Sequence, residues 1–135
     1  MKKILIGCLA LLLFGAATAK AQDMVETTVG TDFVSSYVWR GLDLGDVSMQ
    51  PTLGISYKGL SLSAWGSVGL SNPADTKELD LTLAYSIGGF NFGVTDYWFN
   101  AGLDPLNRYF KYASDCTNHV FEGTIGYDFG FLSLQ

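Results

Sequence analysis

The chain has 135 residues, of which 48% are hydrophobic and only 16% charged, with 13 acidic residues against eight lysines and arginines. An acidic chain without a basic patch is not suited to nucleic acid, so we exclude that class of partner. Mean hydropathy is mildly positive at +0.23. No segment beyond the N-terminal region approaches the roughly 20 apolar residues of a transmembrane helix.

The N-terminus predicts a signal peptide over residues 1–21. Met1-Lys2-Lys3 is a short basic start, and residues 4–15 are an apolar stretch of the expected length. Small residues follow, and Ala19-Lys20-Ala21 supplies an A-x-A cleavage site. We therefore expect a secreted mature chain that begins at Gln22.

The mature chain, residues 22–135, is more acidic than the full sequence. Three lysines leave with the signal peptide, so five basic residues remain against 13 acidic ones, a net charge of −8. Cys116 is the single remaining cysteine, which rules out an intrachain disulfide in the mature chain. Such low use of cysteine fits a protein whose stability comes from strand pairing.

Short segments in which every second residue is apolar follow one another along the mature chain. Side chains alternate between the two faces of a strand, so each segment predicts a strand with one apolar and one polar face. In one of them Leu79, Leu81 and Leu83 form the apolar set. The predicted strands cover residues 25–41, 47–57, 60–70, 78–87, 90–98 and 121–128, and residues 131–135 begin a seventh.

The first predicted strand ends in aromatic residues. Its apolar set finishes at Tyr37 and Trp39, where an aromatic girdle would meet lipid headgroups. Arg40 falls on the opposite, polar face of the same strand. Pairing with a neighbouring acidic side chain is the role that we expect for it.

The connections between these strands alternate between short and long. Tight turns are predicted at Lys58-Gly59, at Gly88-Gly89 and at Asp128-Phe129-Gly130, because glycine supplies the positive φ that such turns require. The longer links cover residues 42–46, 71–76 and 100–118. Short turns on one side and long loops on the other are typical of periplasmic turns and extracellular loops.

Together these patterns predict an all-β fold, an antiparallel up-and-down transmembrane β-barrel in the outer membrane. A soluble periplasmic β-sandwich or lipocalin-like barrel has similar alternation. The solvated face of such a protein, however, carries many Lys and Glu residues. The polar face predicted here is dominated by Ser, Thr, Gly and Ala and has few lysines. Six strands and the start of a seventh are too few to close a bacterial barrel. We therefore expect residues 22–135 to be the N-terminal portion of a barrel of roughly 10 to 12 strands, or else short chains that close it by oligomerisation.

A resemblance to a known family rests on the first half of the mature chain. The residues that carry it are Ser36-Tyr37-Val38-Trp39-Arg40-Gly41, then Pro51, Gly54, Tyr57 and Gly59, and Trp65-Gly66-Ser67. They are similar to the N-terminal half of the TorF-like porins, a family of bacterial outer-membrane proteins. The sequence departs from the family's P-A-x-Q-like strand entry, where it has Gln50-Pro51-Thr52. The resemblance implies a barrel and suggests passive diffusion.

Charged side chains on the predicted inner face are candidates for lining the lumen. An open lumen lined by them would have a negative potential that favours cations or neutral polar solutes. In the alternative, the barrel has no open pore and these groups pair internally to fill it. The candidates are Glu26, Asp32, Arg40, Glu78, Asp80, Glu122 and Asp128.

The longest loop carries aromatic and basic residues together. Such a group could contact a sugar or an anionic ligand, or fold inward as a constriction; alternatively, it extends the flanking strands or packs on itself. The residues are Arg108, Tyr109, Phe110, Lys111 and Tyr112. His119, the only histidine, falls on the outward face near the rim, where a lone histidine is no evidence for a site.

The sequence predicts no enzyme. A hydrolase needs a nucleophile beside a base, and the single histidine lies on the opposite face from the serines. We expect no catalytic residue, no metal site and no cofactor. The expected function is an outer-membrane porin for small polar solutes, with a non-conducting structural or ligand-binding barrel as the alternative. The expected partners are outer-membrane lipid, the barrel-assembly machinery and small polar solutes.

Overall fold

A computed structural model of the chain describes residues 24–100, 108–113 and 117–135. The predicted signal peptide over residues 1–21 and Cys116 lie outside these described residues. Within them the chain forms β-strands and turns only. The strands are β1 (Glu26–Val34), β2 (Tyr37–Trp39), β3 (Leu42–Gly45), β4 (Ser48–Tyr57), β5 (Leu60–Gly69), β6 (Lys77–Ile87), β7 (Phe90–Asn100), β8 (His119–Asp128) and β9 (Ser133–Leu134).

Seven of these strands form one antiparallel sheet in the order β1-β4-β5-β6-β7-β8-β9. Strands β2 and β3 form a separate two-stranded hairpin between β1 and β4. The predicted all-β, antiparallel, up-and-down arrangement is therefore confirmed. The large sheet is not closed, with β1 and β9 at its two edges, which is consistent with an incomplete barrel.

Two-residue turns join β4 to β5 and β6 to β7, as the sequence predicts. Both residues of each turn have positive φ, 49° and 84° at Lys58-Gly59 and 56° and 88° at Gly88-Gly89. Positive φ at both central residues defines a type I′ turn, whose backbone twist matches that of the flanking strands. The two turns lie at the same end of the sheet, which we call the short-turn end; the other is the long-loop end.

The prediction of one continuous strand over residues 25–41 is wrong. Strand β1 stops at Val34, and after Ser35-Ser36 the chain folds back as the β2–β3 hairpin, whose turn is Arg40-Gly41. Their φ angles are 48° and 82°, the same geometry as at Lys58-Gly59. Consequently Arg40 lies in a turn rather than in a strand. Part of the predicted 42–46 link is strand β3.

The register of the large sheet sorts side chains into an apolar face and a polar face. Val29, Leu53, Ala64 and Leu81 occupy successive paired positions on the apolar face. Val29 is 77% exposed and Leu53 60% exposed, and no apolar side chain is buried within the described residues. Apart from Gly66, the buried residues of the described chain are Ser48, Gln50, Ser67, Glu78 and His119, all of which have polar side chains.

Candidate functional site

The β2–β3 hairpin lies across the polar face of the sheet near its long-loop end. Tyr37 packs against Trp65 of β5, with ring centroids 5.6 Å apart, and its hydroxyl donates a 2.7 Å hydrogen bond to Oε2 of Glu78. Trp39 packs against Tyr97 of β7 at 5.7 Å. The sequence predicted that Tyr37 and Trp39 belong to an aromatic girdle on the apolar face. This prediction is wrong, because both rings lie on the polar face.

The Tyr37 end of the hairpin covers a small buried polar region. Glu78 is only 4% exposed and its paired neighbour Ser67 only 1%. Gln50 donates a hydrogen bond to the Ser67 hydroxyl at 3.4 Å. Burial, and then the hydrogen bond to Glu78, raise the pKa of Tyr37 far above its usual range, so its phenol stays a neutral donor.

Two carboxylates lie side by side in this region. Glu78 and Asp80 are two residues apart on β6 and therefore share the polar face. Oε1 of Glu78 and Oδ1 of Asp80 are buried and have no hydrogen-bond partner within the part of the chain that the structure describes. The pair places two acidic groups beneath the hairpin.

The turn of the hairpin reaches the opposite side of the polar face. Nη2 of Arg40 lies 2.7 Å from Oε2 of Glu122 on β8, so the expected pairing of Arg40 with an acidic side chain is confirmed. The Tyr97 hydroxyl donates to the other oxygen of Glu122 at 3.3 Å. The guanidinium also stacks over Trp39, 4.4 Å from the ring centroid. The hairpin is thus anchored on β6 and on β8.

A cavity of about 340 Å³ continues along the polar face from this anchor toward the short-turn end. Most of its polar side chains carry hydroxyl or amide groups, and three aromatic residues and one side-chain carboxylate are among the residues that line it. It is lined by Thr82, Ala84, Ser86, Asn91, Phe92, Gly93, Thr95, Tyr97, Glu122, Thr124, Gly126, Tyr127, Ser133, Leu134 and Gln135. Sequence reasoning singled out only Glu122 among these residues.

The other candidate lumen residues lie apart from this site. Glu26 and Asp32 are exposed on the edge strand β1, opposite Ser56 and Gln50. Asp128 is the last residue of β8, and its Oδ1 accepts a 2.7 Å hydrogen bond from the Gly130 amide in the following turn. The structure therefore brings together Arg40, Glu78, Asp80 and Glu122 around the hairpin, and separates them from Glu26, Asp32 and Asp128.

The described part of the long loop packs on the apolar face at the long-loop end. His119 is buried there, with Nδ1 2.7 Å from Oδ1 of Asp96 and Nε2 against the Tyr109 carbonyl. The Tyr112 ring stacks on the imidazole at 4.2 Å, and Trp98 packs edge-to-face on Tyr109 at 5.5 Å. Burial raises the pKa of Tyr109 to about 12. Tyr109 and Tyr112 thus pack against the rim.

The remaining loop candidates lie at the margin of that cluster, where the Phe110 ring packs edge-to-face on Tyr109 with ring centroids 5.2 Å apart. The Phe110 side chain is 87% exposed. The Lys111 amide donates to the Arg108 carbonyl at 3.1 Å, which closes a turn around Tyr109 and Phe110. A role of these five loop residues in contacting a ligand stays a prediction.

No protein-family model matches the chain, and searches of curated proteins and of solved structures found no match. The resemblance to TorF-like porins thus stays a prediction. Among the described residues, no helix is long and apolar enough to span a membrane. The same residues contain no group of three or more His, Cys, Asp or Glu side chains that could hold a metal ion.

Proposed function

We propose that this chain is the N-terminal portion of an outer-membrane β-barrel that allows passive diffusion of small polar solutes. In this proposal the signal peptide delivers the chain to the periplasm, and the barrel-assembly machinery inserts it into lipid. The apolar face of the sheet contacts that lipid, and the polar face lines the passage. Catalysis forms no part of the proposal, because His119 lies on the apolar face, away from the hydroxyl groups of the polar face.

The inverted distribution of polarity is the observation that carries this proposal. Water-soluble domains bury apolar side chains and expose polar ones. Here the buried side chains of the described chain are polar, while Ile55, Leu62, Leu83 and Val94 form a row across four strands on the exposed side. An exposed apolar surface of this extent needs an apolar environment. A bilayer supplies it.

Aromatic side chains at both ends of the apolar face support a membrane setting. Near the short-turn end, Phe90 packs on Tyr127 and Tyr127 on Phe129, each pair with ring centroids 4.6 Å apart. At the long-loop end, Tyr112 and Phe121 lie beside His119. Strands of about 10 residues at ~3.3 Å each, tilted by roughly 40°, rise the ~25 Å of the apolar band between two aromatic girdles.

A non-conducting structural or ligand-binding barrel is the second candidate function. The hairpin favours it, because Tyr37 and Arg40 fasten this segment across the polar face by contacts to Glu78 and Glu122. A hairpin fixed in this way could leave a narrow passage or none. Measurement of ion current separates the two candidates.

The test is the ion current, in planar lipid bilayers, of the full-length protein whose N-terminal portion this chain is proposed to be. We expect discrete channels that prefer cations, because acidic groups dominate the polar face. Changing Asp32, Asp80 and Glu122 together to Asn, Asn and Gln should reduce this preference. Asp128→Asn, at the short-turn end outside the hairpin region, serves as the control and should leave it in place.

Two outcomes contradict parts of this proposal. A folded protein that never conducts favours the structural or ligand-binding barrel. A conducting protein with the same selectivity after the triple change shows that these carboxylates do not line the passage.

A further inference from the structure

We propose that the cavity below the β2–β3 hairpin binds neutral, hydroxyl-rich solutes of the size of a small sugar. This inference rests on the proposed function and specifies the class of solute that the passage takes. Three properties of the cavity carry it: the hydrogen-bonding groups of its wall, the compensation of its charge, and its size and shape.

The wall of the cavity offers hydroxyl and amide groups at close spacing. Oγ1 of Thr82 and Oγ1 of Thr95 lie 3.0 Å apart, and the Ser86 hydroxyl donates to Oδ1 of Asn91 at 2.7 Å. A hydroxyl has one donor and two acceptor positions, so each of these groups keeps capacity for a further hydrogen bond. Thr124 adds another hydroxyl from the neighbouring strand. Solutes with many hydroxyl groups match such a wall.

The cavity carries almost no uncompensated charge. Among the described residues that line it, Glu122 is the only one with a charged side chain, and it is paired with Arg40 at 2.7 Å. Its second oxygen accepts the hydrogen bond from Tyr97. The Glu78–Asp80 pair lies outside the lining. A charged solute would lose hydration here without meeting an opposite free charge, whereas a neutral solute would not incur that cost.

The size and shape of the cavity fit a single small ring. Its volume of about 340 Å³ lies near the lower end of known ligand sites. Gly93 makes room, because a Cβ at that position would lie 2.6 Å from Oγ1 of Thr124. At the hairpin end, Tyr97 lines the cavity, and its ring is held in place by packing against Trp39 at 5.7 Å. Flat aromatic faces pack well against the apolar C–H face of a sugar ring.

The experiment uses the full-length protein that contains this chain in planar bilayers, with glucose, glucosamine and gluconate as probes at mildly acidic pH. These three probes have similar size, and they are neutral, cationic and anionic under these conditions. We expect glucose to reduce the ion current in a saturable way and at lower concentration than either charged analogue. Loss of two hydroxyl groups in the double variant Thr95→Val, Thr124→Val should raise the half-blocking glucose concentration by about tenfold.

The matched control is Thr28→Val, which removes a hydroxyl from the polar face of β1 outside the cavity. It should leave the half-blocking concentration unchanged. If the double variant does not fold, the pair Ser86→Ala, Asn91→Ala removes hydrogen-bonding groups from the same wall with smaller side chains. It should also raise the half-blocking concentration.

The possible failures are distinguishable. An ion current that glucose blocks no better than the charged analogues, or block that both cavity variants leave unchanged, overturns this inference while the proposed porin stands. A folded full-length protein that carries no current contradicts the proposed function, and the inference fails with it.

Discussion

Glu78 and Asp80 are the residues of the described polar face whose buried side-chain oxygens lack hydrogen-bond partners. Each has a buried carboxyl oxygen without a hydrogen-bond partner in the described ranges, and the two acidic groups lie two residues apart on one face of β6. Ionising both of two adjacent buried carboxyl groups destabilises a folded protein, whereas an amide is neutral at every pH and can also donate a hydrogen bond. We therefore predict that Asp80→Asn stabilises the protein, by about 1 kcal/mol for one gained hydrogen bond.

The measurement is the urea concentration at which the folded chain in detergent loses its compact gel mobility. Asp32→Asn is the matched control, because Asp32 is an exposed aspartate on the polar face of β1. The midpoint should rise for Asp80→Asn and stay within error for Asp32→Asn. A lower midpoint for Asp80→Asn would show that the ionised carboxylate stabilises the fold.

At the residue level the sequence located part of the site. The alternation of β6 placed Glu78 and Asp80 on one face, and the isolation of Arg40 among acidic residues indicated an ion pair. The partner of Arg40 was not predictable, because Glu122 is 82 positions away along the chain. Only the folding of the hairpin across four strands brings these two side chains together.

The two-residue turns offer a test at the level of the element. In the β6–β7 turn both Gly88 and Gly89 have positive φ, but their surroundings differ. A Cβ on Gly88 meets nothing within 4 Å, whereas a Cβ on Gly89 would lie 2.9 Å from the Asp128 carbonyl. Gly88→Ala should therefore cost about 1 kcal/mol for backbone conformation alone, and Gly89→Ala should cost more.

Each variant serves as the control for the other, since both change one glycine of one turn. Urea unfolding in detergent should rank the native chain first, Gly88→Ala second and Gly89→Ala last. Equal destabilisation by the two variants would contradict the close approach of β8 to this turn.

The segment over residues 108–113 is held to the sheet by His119. Both ring nitrogens of His119 are engaged, one by Asp96 and one by the Tyr109 carbonyl. We predict that His119→Ala releases the segment and speeds trypsin cleavage after Arg108 and Lys111 by at least several-fold, since proteolysis follows local opening. Cleavage is followed by mass spectrometry of the fragments.

Cleavage after Lys58, in the turn at the opposite end of the sheet, is the internal control in the same digest. It should proceed at the same rate in both proteins. If His119→Ala leaves cleavage after Arg108 and Lys111 unchanged, then the ring contacts of Tyr112 with its neighbours, rather than the histidine, hold the segment.

Among the elements, the strands of the large sheet were predictable and the hairpin was not. Alternation continues without a break from β1 through Tyr37 and Trp39, so it gives no sign that the chain turns back at Ser35-Ser36. Arg40-Gly41 was an available signal, because it matches the Lys58-Gly59 pattern of a basic residue followed by glycine between alternating segments. The contact of Tyr37 with Glu78 then fixes the hairpin on the polar face, and such a long-range contact leaves no local pattern.

At the scale of the whole molecule, the sheet has its polarity reversed relative to a soluble domain. Its buried side chains are polar, and its apolar side chains are exposed on the other face. The sequence predicted this separation because a period of two assigns each residue to one face. Alternation alone does not decide which face meets lipid and which meets water. That orientation is the central claim of the proposed function.

Spin labels along β6 test this claim most directly. With Cys116→Ser as background, the full chain in lipid vesicles carries one label at a time at Leu81→Cys, Thr82→Cys, Leu83→Cys or Ala84→Cys. We predict that labels at 81 and 83 collide with oxygen, which concentrates in lipid, and that labels at 82 and 84 collide with a water-soluble nickel complex. The account is contradicted if labels at 82 and 84 collide with oxygen and labels at 81 and 83 with nickel, or if nickel reaches all four positions. Either result rules out a lipid-facing apolar surface and with it the proposed barrel.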